Sequence, residues 1–221
     1  MSLSTRSFVA AAAVLAPVLA ATLAAGCASD PVPAPVLLTL PSSQPGAQTG
    51  APAPTASASA PGTASANEPP LLAVRRIAIP EYLVARRVRY RADPSTLAEW
   101  PNTFWAERIE IGVSREFVSA LRSQLPGWTL CENNCGDRAP TLALQVEMVP
   151  MDYVRSTQKL EARARVVLSS AGSNPRMLQT QEWSYELPAS ADTAQAHAQA
   201  VADLIRQVAT ATATLVKTTK P

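Results

Sequence analysis

The chain has 221 residues, with 19 basic and 17 acidic side chains and a formal net charge of +2 at pH 7. This near-neutral balance argues against a nucleic-acid-binding protein, which needs a strongly basic surface to hold phosphates. The length suits one ordinary domain together with additional sequence that need not join its core.

Residues 1–26 have the pattern of a secretory signal. One positive charge, Arg6, precedes an uncharged run from Phe8 to Leu23 that is rich in Ala, Val and Leu. The run is short for a membrane span and is broken by Pro17, so an export signal is favoured over a transmembrane helix.

The residues before Cys27 indicate how this signal ends. Ala25 and Gly26 are small residues directly before the cysteine, and together they resemble the lipobox of bacterial lipoproteins. In lipoproteins that cysteine is acylated and becomes the first residue of the mature chain, so a lipid anchor is predicted on Cys27. The usual large aliphatic residue lies one position early, at Leu23, and the alternative is an ordinary cleaved signal with a chance cysteine.

Residues 27–70 join this anchor to the main domain. Ten of the 43 residues after Cys27 are proline and charge is nearly absent, so most of the segment cannot bury enough apolar surface to offset its ordering entropy. Within it, the apolar run at residues 36–40 is either a chance cluster or a short strand docked on the domain. Its continuity favours the strand.

The domain is predicted to begin with strands. The apolar residues of Leu71–Val74 and Ile77–Ile79 are followed by a proline, which cannot donate a ladder hydrogen bond. The next strand, Arg87–Arg91, alternates arginine with apolar residues, and Arg86 adds to its basic face. That face indicates either a solvated edge strand or a contact surface for lipid headgroups or an acidic partner.

Residues 105–125 are predicted to form an amphipathic helix. Apolar residues recur every four positions through it, and Glu110 is placed on its charged outer side. Asn102 or Thr103 is the predicted N-cap, and the Pro-Gly pair after the last apolar residue ends the helix.

Cys131 and Cys135 are the remaining cysteines, an even number in an exported chain. Active-site dithiols usually enclose two residues rather than three, and a metal site needs about four ligands, whereas the chain has one histidine. A local disulfide is therefore predicted, with a gain of about 2 kcal/mol from so small a loop.

The C-terminal part is predicted to contain three alternating strands, the last two joined as a hairpin, and a long helix. The helix runs from about residue 191 to residue 217, with Ser190 as its cap and His197 on its solvent side. The three strands cover residues 141–149, 158–169 and 177–187.

Residues 71–217 are thus predicted to form one α/β domain of α+β-like character. A mixed, largely antiparallel sheet of about five to seven strands would carry the two amphipathic helices on one face. The sequence contains no evident nucleophile–base pair and no glycine-rich phosphate loop. A binding or scaffolding protein without metal or cofactor is predicted, rather than an enzyme.

A turn with Pro80, Tyr82 and Leu83 is followed, after a strand, by the run Trp105-Ala106-Glu107. With these motifs the domain resembles the PqiC family, the auxiliary lipoproteins of MCE-type ABC transporters. That family has a strand ending in Leu-Pro-x-Tyr-Leu, a second strand and a helix start of Trp-Ala-Glu. It also opens with a strand ending in Thr-Leu-Pro, which Thr39-Leu40-Pro41 matches, although no aromatic residue precedes Thr39. Cys131 and Cys135 are not part of the family pattern. The matching positions of the first two motifs are Pro80, Tyr82, Leu83, Trp105, Ala106 and Glu107.

This resemblance implies a lipoprotein on the periplasmic face of the outer membrane, and Ala28 rather than Asp after Cys27 favours that membrane. It implies an MCE-domain protein and an inner-membrane ABC permease complex as partners in lipid trafficking, with this subunit docking the MCE protein. It leaves open a homo-oligomer. The alternative is a generic envelope-binding lipoprotein that engages the cell wall or outer-membrane assembly. The candidate partner contacts are Tyr82, Leu83, Arg86, Arg87, Arg89 and Arg91.

Overall fold

The computed structural model describes residues 33–42, 68–132 and 135–219, so the predicted signal and Cys27 lie outside the described residues. A short 3-10 helix, Glu81–Leu83, lies between the second and third strands. In chain order the strands and helices are β1 (Val36–Leu38), β2 (Leu71–Val74), β3 (Arg87–Asp93), β4 (Thr96–Trp105), α1 (Ile109–Gln124), β5 (Thr129–Glu132), β6 (Leu142–Val154), β7 (Lys159–Ser170), β8 (Met177–Pro188) and α2 (Ala194–Thr218).

The eight strands of the described residues form one mixed sheet with β6 at its centre. On one edge of β6, β7 pairs antiparallel along nearly the whole strand. The other edge is divided, because β2 pairs in parallel with Leu142–Leu144 at its start and β3 pairs in parallel with Val154 at its end. Next to β2 lies β5, at one edge of the sheet. Next to β3 lies β4, followed by β1, and next to β7 lies β8.

The core lies between this sheet and the two helices. Alternation along β6 and β7 turns apolar side chains such as Leu144 and Val166 inward, where they join Phe117 of α1 and Leu204 of α2 in one buried cluster. The predicted class, a mixed sheet with two helices on one face, is confirmed. The strand number is higher than the predicted five to seven because β4 was not predicted.

The apolar run at residues 36–40 does form a strand. Val36–Leu38 pairs in parallel with Thr103–Trp105 of β4. Leu38 and Leu40 are 7 % and 5 % exposed and belong to the core, whereas Leu37 points away from it and is 57 % exposed. The strand and the two residues after it therefore add two apolar side chains to the core, and the strand also adds backbone hydrogen bonds.

The predicted start of the first helix is wrong. Trp105 is the last residue of β4, and α1 begins at Ile109 after Arg108, which makes no side-chain cap hydrogen bond. Neither predicted cap caps the helix, since Asn102 and Thr103 both lie within the strand. The four-residue spacing continues back to Trp105 by coincidence, and the strand depends on pairing with β3 and β1, which are distant in sequence.

The start of the second helix also differs from the prediction. Its N-cap is Thr193, whose Oγ1 accepts a hydrogen bond from the backbone N–H of Ala196 at 3.1 Å. Ser190 lies exposed in the preceding loop. Several Ser, Thr and Asp residues precede this helix, and local composition alone does not distinguish which of them has the extended backbone that a cap requires.

Candidate functional site

Three segments that carry the family motifs converge where β4 passes into α1. The backbone N–H of Trp105 donates to the carbonyl oxygen of Arg86 at 2.7 Å, and that of Ala106 donates to the carbonyl oxygen of Leu38 at 2.8 Å. The loop before β3, the end of β4 and the end of β1 are thereby fixed to one another. Motifs up to about 70 residues apart in sequence thus form one structural unit.

A cavity of about 360 Å³ lies at this junction, between the loop before β3 and the first turn of α1. Glu107 forms an ion pair with Arg115, 2.7 Å between Oε2 and Nη1, and Glu110 is paired with Arg108. Glu110 is 6 % exposed, so its predicted place on the outer side of the helix is wrong. The cavity is lined by Val84, Ala85, Arg86, Ala106, Glu107, Arg108, Ile109 and Glu110.

The predicted contact residues form what we call the 82–91 surface, made of Tyr82, Leu83, Arg86, Arg87, Arg89 and Arg91. Two of its residues, Tyr82 and Arg91, are held by Asp152 of β6, which is 8 % exposed. Tyr82 donates its hydroxyl proton to Oδ1 of Asp152 at 2.9 Å, and Arg91 donates to Oδ2 from Nε at 3.0 Å. Partial burial and the hydrogen bond to Asp152 raise the pKa of Tyr82.

The other arginines of this surface differ in how far the fold engages them. Arg89 donates to the carbonyl oxygen of Tyr82 at 2.8 Å and is paired with Glu99. Arg87 also forms an ion pair with Glu99, with 3.3 Å between Nε and Oε2, but the Arg87 side chain remains 51 % exposed. Arg86 is exposed and has no ion pair among the described residues. Arg86 and Arg87 are therefore the two cations of the surface most open to a partner.

The position of β3 bears on one of the two interpretations of its arginines. The strand lies between β4 and β6 in the sheet, so the edge-strand interpretation is wrong. Its arginines are placed on one face by the two-residue repeat, and Val88 and Tyr90 are buried on the other. The sequence pattern gives the face of these side chains correctly, but the place of a strand within a sheet is a property of the whole chain.

A buried row of aromatic rings lies beneath the start of α2, and sequence reasoning missed it. The ring centroids of Tyr153 and His197 are 4.7 Å apart in a stacked arrangement, and Trp105 lies edge-on to His197 at 6.3 Å. Trp100 lies 6.1 Å from Tyr153 and 5.0 Å from Tyr90 on the other side. The row connects β3, β4, β6 and α2.

His197 is 5 % exposed, so its predicted place on the solvent side of the helix is wrong. Burial lowers the pKa of His197 to about 4, which keeps the ring neutral near pH 7. The signal that could have placed it is the composition around it. Small alanines let a helix approach a sheet closely, and the neighbours that are buried with it are Ala194, Ala196, Ala198 and Ala200.

Arg155 closes the exposed end of this aromatic row. Its guanidinium lies 4.8 Å from the ring centroid of Trp100 and 4.9 Å from that of Tyr90. It also donates to the hydroxyl of Tyr90 at 2.8 Å and pairs with Asp192 at 2.9 Å. One side chain thus links the turn after β6 to the loop that leads into α2.

The disulfide between Cys131 and Cys135 is present and confirms the prediction. It closes the end of β5, away from the cavity at the β4–α1 junction. The described part of the chain contains no group of three or more side chains that could hold a metal ion. Among the described helices, none combines the length and the hydropathy needed to cross a membrane.

Comparison with known proteins identifies the class to which this fold and site belong. The family described as ABC-type transport auxiliary lipoprotein component matches residues 52–213, well over half of the chain. The chain belongs to this family, as its motifs predicted.

Among individual proteins, the chain is similar to the intermembrane transport lipoprotein PqiC of Escherichia coli K12. The two are 29 % identical over 76 residues, and the Shigella flexneri protein of the same name gives the same values. The matched stretch is 34 % of this chain and 41 % of the relative, so the chain matches about two fifths of the length of these curated relatives.

Solved structures share the fold at low sequence identity. The crystal structure of an uncharacterized protein has a TM-score of 0.63 at 17 % identity and covers 83 % of this chain and 99 % of its own. Protein XCC0632 from Xanthomonas campestris has a TM-score of 0.53, also at 17 % identity, and covers 67 % of this chain and 83 % of its own. These similarities establish a common architecture.

Proposed function

We propose that this chain is the lipid-anchored, periplasm-facing subunit of an MCE-type ABC transport system that moves lipids between membranes. Its role is to dock the MCE-domain protein, which works with an inner-membrane permease complex, rather than to catalyse a reaction. The observation that carries this proposal is the family match over residues 52–213, downstream of a lipobox-like Cys27.

The chemistry of the site supports docking. The carboxylates at the cavity are neutralised by neighbouring arginines, as in the pair between Glu107 and Arg115. The histidine is buried in the aromatic row rather than placed at the cavity. Fixed ion pairs beside a cavity with apolar and charged lining residues suit recognition of a partner surface, and the exposed Arg86 and Arg87 are the proposed partner contacts on the 82–91 surface.

The proposed location is the outer membrane, because Ala28 rather than Asp follows Cys27. Labelling cells with radioactive palmitate should mark the wild-type chain and leave Cys27→Ala unlabelled. Membrane fractionation of the labelled chain should then recover it with outer-membrane markers. Equal label in both chains would rule out the anchor, and recovery with the inner membrane would rule out the location.

Co-purification tests the partner. The lipidated chain, extracted in mild detergent, should retain an MCE-domain protein that is identified by mass spectrometry. A reversed-charge variant, Arg86→Glu with Arg87→Glu, should retain less of it, whereas Arg122→Glu with Arg176→Glu changes the charge equally at exposed sites elsewhere and should retain as much. Cell-wall or assembly proteins recovered in place of an MCE protein would instead support a generic envelope-binding lipoprotein.

A further inference from the structure

The last strand of the sheet has an unpaired outer edge. β8 is 12 residues long and pairs antiparallel with β7 from Pro188 opposite Lys159 to Met177 opposite Ser169. No other strand of the described residues pairs with it. At about 3.3 Å per residue the edge extends for about 40 Å. Natural proteins usually shorten or cover edges of this length.

One face of β8 carries apolar side chains that are only partly covered by the rest of the domain. Trp183, Tyr185 and Leu187 are half-buried and pack against the buried cluster. α2 lies beside them without covering them, which leaves an open groove of about 780 Å³ between strand and helix. The groove is lined by Tyr185, Leu187, Pro188, Asp203, Arg206, Gln207, Thr210 and Ala211.

The other face of β8 is acidic, and it ends a series of alternating charges across three strands. Arg165 of β7 lies opposite both Glu147 of β6 and Glu182 of β8. The two acids of β8, Glu182 and Glu186, are paired on their inner side only with bases of β7. Their side chains remain 52 % and 69 % exposed, and Glu161 opposite Glu186 makes that end of the edge more acidic.

We propose that the outer edge of β8 binds an extended segment of a partner protein in which apolar and basic residues alternate, so that the segment becomes a ninth strand. The backbone of the edge supplies hydrogen bonds, and alternate side chains supply selectivity. Apolar residues of the segment enter the groove beside α2, and its Lys or Arg residues face Glu182 and Glu186. This inference rests on the proposed docking role and adds to it a second contact surface, separate from the 82–91 surface.

A second copy of the chain fits this edge less well. Two β8 strands paired antiparallel about Ser184 would place Glu182 of each copy opposite Glu186 of the other. Like charges directly opposite one another destabilise a strand pair. The charge of the edge therefore favours a basic strand from a different protein.

The first test uses a capped synthetic peptide of alternating lysine and valine, and a matched peptide of alternating glutamate and valine. The full chain in detergent should bind the lysine peptide, measured by fluorescence anisotropy, and more weakly as salt is raised. Hydrogen–deuterium exchange should slow at residues 177–188 and stay unchanged at β1 and β5, which are the other edges. Protection at β1 or β5 instead, or no binding, would overturn the proposal.

Charge reversal gives the matched control. Glu182→Lys with Glu186→Lys should weaken the lysine peptide about tenfold and create binding of the glutamate peptide, because each exposed pair changes from attraction to repulsion. Glu81→Lys with Glu132→Lys makes the same charge change at exposed sites outside β8 and should leave both affinities unchanged. If both variants lose affinity equally, the peptide senses net charge and the site is not β8.

Two further measurements separate this proposal from its alternatives. If sedimentation detects a dimer of the wild type that the β8 variant loses, the edge is covered by a second copy and the proposal fails. If the variant no longer binds the peptide but still retains the MCE protein in co-purification, the docking role stands and β8 takes no part in it. If the wild type binds the peptide at β8 but retains no MCE protein, the docking role fails and the strand site stands.

Discussion

At the scale of single residues, Asp152 shows how the fold uses charge. Its carboxylate is 8 % exposed and receives hydrogen bonds from Tyr82 and Arg91. Arg91→Gln would leave this buried carboxylate without its cation and should lower the free energy of unfolding by about 2 kcal/mol. Arg87→Gln removes a half-exposed guanidinium that pairs with Glu99 and should cost less than about 0.5 kcal/mol. Urea unfolding of both variants measures the difference, and equal losses would contradict it.

His197 should make stability depend on pH. Its pKa is about 4 in the folded chain and 6.5 when unperturbed, so the unfolded state takes up the proton first as the pH falls. Its contribution is therefore complete above about pH 6.5 and is lost as the pH falls toward 4, with a loss of about 2 kcal/mol between pH 7 and pH 5.

The variant His197→Phe isolates this effect. Phenylalanine keeps a ring against Tyr153 and removes the titrating nitrogen. Urea unfolding at pH 7 and pH 5 measures how much stability each protein loses over this range. The loss should be smaller for the variant than for the wild type by about 2 kcal/mol. If the wild type and the variant lost the same amount of stability between pH 7 and pH 5, the acid sensitivity would come from other groups.

At the scale of secondary-structure elements, β1 joins the N-terminal region to the sheet through three residues. Leu38→Ala should lower the free energy of unfolding by about 3 kcal/mol, because the side chain is 7 % exposed within the core. Leu37→Ala, at a position that is 57 % exposed, should change it by less than about 0.5 kcal/mol. Thermal or urea unfolding distinguishes a docked strand from a loosely attached one, for which both losses would be small.

The elements that sequence predicted well are those with a complete local signal. β7 and β8 alternate cleanly and are joined by a turn, so their strands, faces and pairing are recovered from one stretch of chain. β4 was missed because its pairing partners are distant and its Trp105 coincides with a helical spacing. The cavity at the β4–α1 junction was not predictable from periodicity, since it depends on contacts between separate segments. The family motifs nevertheless marked the residues that meet there.

At the scale of the whole molecule, β6 belongs to two halves of the sheet. β2 pairs with its start and β3 with its end. Because both halves depend on the same strand, unfolding of β6 removes a pairing partner from each of them, and the domain should therefore unfold in one cooperative transition. Native-state hydrogen exchange should give β2 and β3 the same opening free energy under conditions where global unfolding dominates. A clearly lower value for one of the two strands would indicate that the halves open separately.

The place of β6 in the chain also bears on export. Leu72 and Leu142 pair across about 70 residues, and the hydrogen bond between Tyr82 and Asp152 of β6 spans a similar separation. Such distant pairings form later in folding than the pairing of consecutive strands, because a long loop must first be closed. The first strands of the sheet have no central partner until most of the chain has been synthesised. A sheet that is completed only after most of the chain has been made suits the predicted N-terminal export signal, because an exported chain would have to stay unfolded until it had crossed the membrane.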